Sequence, residues 1–230
     1  MLKFKTNVGV RNNIRNFVLY DLIISIFLIV LLYFTASVAV IEDALVLQNY
    51  ANLFKFISLL SLIIFTIFST VMCFQFVIKD RFDAKQVLFS SSSSISNRKS
   101  KLSSLLAILG FTTISMIICT VIPILIFIIS ESYFIQIIPD KMSLNIIMLA
   151  ISNIIILSPI AGMIGFVGIR SGFKKKSILA SIFTAFICVI FIGHIFANAY
   201  DNLLIRILML LLVMFVGLLT LHNSIKKSLI

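Results

Sequence analysis

Six runs of almost unbroken apolar residues, at roughly 22–41, 53–78, 102–129, 144–169, 177–197 and 203–222, govern what this chain can fold into. A hydrocarbon core about 30 Å thick is crossed by about 20 apolar residues in α-helix, and every run reaches that length. Between Leu22 and Leu32 the one polar residue is Ser25, so this run has no polar face to turn toward water. Membrane β-strands alternate apolar and polar residues over about ten positions, and the same pattern excludes them. Composition agrees: 61% of the 230 residues are hydrophobic and 12% charged, too few to surround a soluble core. The expected fold is an all-α integral membrane protein. It has six transmembrane helices in one domain spanning 1–230, with no soluble domain and no linker long enough to hide one.

The net charge of +11 is informative through its placement. Lys3, Lys5, Arg11 and Arg15 precede the first run; Lys79, Arg81, Lys85, Arg98, Lys99 and Lys101 follow the second; Arg170 and Lys174 to Lys176 follow the fourth; Lys226 and Lys227 come near the C-terminus. The opposite side has Lys55, Lys141 and Arg206, together with Glu42, Asp43, Glu131, Asp140 and Asp201. The positive-inside rule then puts both termini and the polar segment 79–102 in the cytoplasm of a multi-pass plasma-membrane protein. Nucleic-acid binding needs the charge gathered on one folded face with base-reading groups, which short intermembrane loops do not offer. No nucleic-acid partner is expected; membrane lipid is.

Residues 1–21 form a basic amphipathic segment, with Val8, Val10, Ile14, Phe17, Val18 and Leu19 on one broad arc and Asn12, Asn13 and Asn16 facing away. It reads either as an interfacial helix or as a topogenic tail. Ser37-Val38-Ala39 resembles a signal-peptidase site, but the run before it is long for a signal sequence, and an uncleaved first helix is expected. Cys73, Cys119 and Cys188 lie within apolar runs and point to packing rather than to disulfides or metal ligation.

Catalytic and nucleotide motifs are missing. The chain has no Gly-x-x-x-x-Gly-Lys phosphate loop and no His-Glu-x-x-His, and His194 and His222 stand apart from carboxylates at ligand spacing. The chain is therefore expected not to be an enzyme and to hold no cofactor or metal of its own. Ion-driven carriers keep Asp, Glu or His in the membrane interior, whereas the runs here offer mainly Gln75, Ser152, Asn153, Ser158 and His194. The energy for transport would then come from a partner. Gln75, Ser152 and Asn153 are candidate polar points on a translocation path, or else hydrogen bonds between helices worth about 0.6 kcal/mol each. The fourth run carries Pro159, Gly162, Gly165 and Gly168, which suit either close helix packing or a moving hinge.

The segment Lys79 to Leu102 separates the second and third runs and holds six of the nineteen Lys and Arg residues. Ser90 to Ser94 opposes a long helix, and Ser94 or Ser96 can cap a helix leading into the third run. Upstream, Phe82, Val87, Leu88 and Phe89 are apolar residues in a charged setting, suited to docking in a protein groove. Lys79-Asp80-Arg81-Phe82-Asp83, Val87-Leu88-Phe89-Ser90 and Ile95-Ser96-Asn97-Arg98-Lys99, leading to Lys101 and Leu105-Leu106-Ala107, resemble the loop between spans two and three of type 2 ABC exporter permeases. The six-span layout with inside termini is similar too. The family's usual glutamate is absent, with Asp80 or Asp83 in its stead, and Ser94 stands where a proline is common.

The resemblance implies a permease that pairs with a second copy or a paralogue, as a homo- or heterodimer. Each permease would receive one cytoplasmic ABC ATPase subunit, which binds ATP and Mg. It places Arg81, Phe82, Asp83, Leu88 and Phe89 in the ATPase-coupling region, and Arg170, Lys174 and Lys175 form a candidate second cytoplasmic contact. In overall character the chain is similar to bacterial low-GC Gram-positive exporters of amphipathic or antimicrobial peptides, of the lantibiotic-immunity and phenol-soluble-modulin types, and lipid-like substrates suit the same reading. Two other readings stay open. One is a membrane substrate-binding module similar to the vitamin-binding subunits of energy-coupling-factor importers, and the other is a structural or assembly protein with no transport cycle.

Overall fold

The computed structural model describes residues 8–42, 44, 46–86, 94–133, 137–175 and 177–227, with side chains omitted at 8–17, 75–86, 94–104, 173–174 and 221–227. The described residues are helical, with no strand among them: α1 (Val8–Ile41), α2 (Tyr50–Gln86), α3 (Ser94–Tyr133), α4 (Leu144–Lys175), α5 (Ile178–Asn198) and α6 (Leu203–Lys227). Each contains a segment long and apolar enough to cross a membrane: Val18–Ile41, Tyr50–Phe74, Leu105–Tyr133, Leu144–Gly172, Ile178–Asn198 and Leu203–Thr220. The protein is a multi-pass membrane protein with six spans.

Backbone polar groups cannot stay unpaired in lipid, which is why these runs become helices and why their ends need partners. Short polar side chains supply them. The amide of Ala51 donates to Asn49 Oδ1 at 2.8 Å before α2, Ile146 N to Ser143 Oγ at 3.4 Å before α4, and Leu204 N to Asn202 Oδ1 at 3.1 Å before α6. Ser177 caps α5 through the amide of Ala180.

Helices α1, α2 and α3 each continue from their apolar run into polar sequence. α1 begins at Val8, so the segment predicted to be amphipathic continues into the first span as one helix of 34 residues, and Ser37 to Ala39 lie inside it. α2 continues past its apolar run, which ends at Ile78, through residues 79–86, about 12 Å at 1.5 Å per residue, and α3 runs from Ser94 to the start of its apolar run at Leu102, about 12 Å. The described part of α3 starts at Ser94, one of the two serines predicted as caps. Residues 87–93, which include Leu88 and Phe89, lie outside the described residues.

The chain forms two compact units. The first comprises residues 1–57 and 118–142. Leu28, Leu32, Ala36 and Ala39 make a buried stripe on α1, at the three- and four-residue spacing of one helix face. Phe127 of α3 meets Tyr33, Tyr50 and Phe54, with ring centroids 5.1, 6.5 and 6.4 Å away.

The second unit comprises residues 58–117 and 143–230, and its most enclosed helix is α4, which packs on both α5 and α6. Small residues permit the approach. A Cβ at Gly168 would stand 2.8 Å from the carbonyl oxygen of Ser181 and 3.1 Å from Ala185 Cβ, so α4 and α5 meet there nearly backbone to backbone. At Gly165 it would stand 2.6 Å from Ser69 Oγ of α2. Among lipid tails there is no hydrophobic force between helices, and close dispersion contact of this kind is what holds them together.

α4 stays helical through Pro159. Proline removes the amide that would reach the carbonyl of residue 155, and Ser158 Oγ donates to the Ile155 oxygen at 3.1 Å instead. With Gly162 against Leu109 and Gly165 against Ser69, the structure gives these residues a packing role.

Candidate functional site

Among the described residues, two charged side chains are buried within spans. Glu131 and Arg206, which the charge pattern assigns to one side of the membrane, both lie within spans, 8% and 2% exposed.

Glu131, in the first unit, stands in the last turn of α3, which ends at Tyr133. Its Oε2 accepts the Tyr50 phenol proton at 2.8 Å, and both carboxylate oxygens share the amide of Ile137 at 3.1 Å. Beside it Ser130 Oγ donates to the Phe127 carbonyl at 2.8 Å and accepts from the Tyr33 phenol. Hydrogen bonds to a charged acceptor are worth about 1.5–3 kcal/mol each. The carboxylate thus ties the first turn of α2 and the segment after α3 to one point.

Arg206, in the second unit, lies one turn into α6. Its head meets two consecutive residues of α4: NH1 donates to Ser152 Oγ at 3.2 Å and to Asn153 Oδ1. Ser152 Oγ passes its own proton to the Leu149 carbonyl at 2.8 Å. Both partners are neutral. Asp201, the acid nearest in sequence, is exposed, and among the described residues no carboxylate forms an ion pair with Arg206. One donor in this cluster, Arg206 Nε, is buried and without an acceptor, while the Asn153 side chain also hydrogen-bonds the Tyr200 phenol. An unmet buried donor costs about 1–3 kcal/mol, and more when charged, so a cluster like this is not explained by stability. Tyr200, 3% exposed, adjoins Asn153; burial first of all pushes its phenol up to about 12, so it remains a neutral hydroxyl at physiological pH.

The structure brings two of the predicted path residues, Ser152 and Asn153, together around Arg206. The third, Gln75, lies on the α2 extension, and its side chain lies outside the described residues, as do those of Arg81, Phe82, Asp83 and Lys174. Arg170 and Lys175 are exposed at the end of α4. His194 is exposed too, with Asn198 Nδ2 3.5 Å from its Nδ1. Among the described residues no group of three His, Cys, Asp or Glu side chains is arranged to hold a metal ion.

No protein-family model, curated protein or solved structure matches the chain.

Proposed function

We propose that this chain is the membrane permease subunit of an ATP-driven exporter of the type 2 ABC class, moving amphipathic peptides or lipid-like molecules, with ATP hydrolysed by a separate subunit. The observation that carries the reading is the pair of helical arms on either side of residues 87–93. α2 and α3 continue about 12 Å each beyond their apolar runs, and those extensions carry Lys79, Arg81, Lys85, Arg98, Lys99 and Lys101. A span needs no such extension to cross a bilayer. A stiff helix that leaves the membrane suits the transmission of force from a soluble partner to the spans.

In this mechanism the basic arms lie in the cytoplasm and Phe82, Leu88 and Phe89 seat in a groove of the ATPase, oriented by Arg81 and Asp83. ATP binding draws two ATPase subunits together, and contacts that differ between the open and closed ATPase shift the equilibrium between two arrangements of the spans. The chain acts as a pair, with its own copy or a paralogue. Arg170 and Lys175, exposed at the end of α4, form the second contact. The close packing of α4 on α5 and α6 lets α4 carry displacement into the spans as a rigid body.

The test is co-purification from bacterial membranes. Tagged wild-type chain retains a stoichiometric cytoplasmic ATPase in mild detergent, and Phe82→Ala and Arg81→Ala reduce the amount retained while the permease itself stays monodisperse. Full retention by both variants would remove the arms from the interface.

A further inference from the structure

We infer that the Arg206 cluster is a binding site for an oxyanion, a carboxylate or a phosphate, which completes the buried guanidinium. The inference rests on the second unit alone and does not depend on coupling to an ATPase.

Three observations converge on it. First, Arg206 is 2% exposed inside an apolar span, and the opposite charge that acts on it, the exposed Asp201, makes no ion pair with it among the described residues. Second, its partners are the neutral Ser152 and Asn153. Third, Arg206 Nε is buried without an acceptor, in a side chain whose NH1 already serves two neutral oxygens. An incoming group that satisfies this set must bring acceptors, no protons, and negative charge. A carboxylate or phosphate does all three, and the planar guanidinium matches either through two parallel N–H bonds. A cation or a neutral donor meets none of these needs.

The position also sets the route. Arg206 is one turn from the start of α6, and Leu203, Leu204 and Ile205 before it are exposed apolar side chains. A charged head arriving at membrane depth with an apolar tail alongside these residues has its polar end at the guanidinium. The same chemistry is met by an anionic lipid headgroup or by a small free anion, and the experiment separates them.

The chain is purified in an uncharged detergent with chloride as the small anion, and its thermal unfolding is followed after adding phosphate or acetate at matched ionic strength, or phosphatidylglycerol or phosphatidylcholine. Wild type is expected to gain at least about 2–4 °C in Tm from an occupant at saturating concentration. A gain from phosphate or acetate identifies a free anion; a gain from phosphatidylglycerol alone identifies the lipid headgroup. Arg206→Gln loses the response. Asn153→Asp places a carboxylate beside the guanidinium from within, so it melts above wild type without any addition and no longer responds; it decides the matter if Arg206→Gln does not fold. The inference is overturned if wild type responds to none of the four additions, or if Asn153→Asp responds as wild type does.

Discussion

Glu131 and Arg206 pose the same physical problem and the molecule answers it in two ways. Each is an ionisable group buried within a span, one in each compact unit. Both Glu131 carboxylate oxygens have donors, the Tyr50 phenol and the Ile137 amide. Arg206 keeps a donor to spare. A satisfied buried charge fixes structure, whereas an unsatisfied one lowers stability and persists when something outside the chain completes it. Burial alone therefore does not mark a functional residue. The balance of donors against acceptors does.

That contrast can be broken by substitution, with unfolding free energy read from denaturant titration in mixed micelles. The largest effect is expected for Glu131→Ala, which strands the Tyr50 hydroxyl and the Ile137 amide and should cost about 3 kcal/mol or more. Tyr50→Phe should recover part of that loss in the double variant, because both substitutions remove the same bond. Next comes Gly168→Ala, at about 1–3 kcal/mol, since the new methyl group meets the Ser181 backbone rather than a side chain that can swing aside. Gly110→Ala is its counterpart: a Cβ there has nothing within 4 Å, so helix propensity alone acts and the protein should gain about 0.5–1 kcal/mol. Arg206→Leu should leave stability nearly unchanged, because it removes a desolvated charge together with its unmet donor. A loss as large as that of Glu131→Ala would erase the distinction between the two clusters.

The six spans were legible because lipid imposes one rule on every residue of a run. Length and unbroken hydrophobicity suffice, and the observed segments differ from the predicted ones by a few residues at their ends. Ser152 and Asn153 were legible as polar exceptions in the fourth run. Their partner was not, although Arg206 stands in Leu203-Leu204-Ile205-Arg206-Ile207-Leu208, inside a run, where its cost should have marked it. Counting it among charges that orient the chain concealed it. Glu131 falls just beyond the third run at 102–129, among charges assigned to one side of the membrane, yet α3 continues to Tyr133, and Ser132 Oγ donates to the Ile128 carbonyl at 2.8 Å within the helix. Pro159 with its glycines suggests either hinge or packing, and the close approach of α4 to α5 at Gly168 is a tertiary fact no sequence period encodes.

The central claim is that this membrane chain is driven by a separate ATPase through the arms of α2 and α3. It is tested most directly by ATP turnover of the co-purified ATPase in proteoliposomes, alone, with wild-type chain and with Arg81→Ala/Asp83→Ala. The account predicts that wild type alters turnover severalfold and that the double variant returns it to the level of the ATPase alone, with its spans still folded. Equal turnover in all three would contradict it.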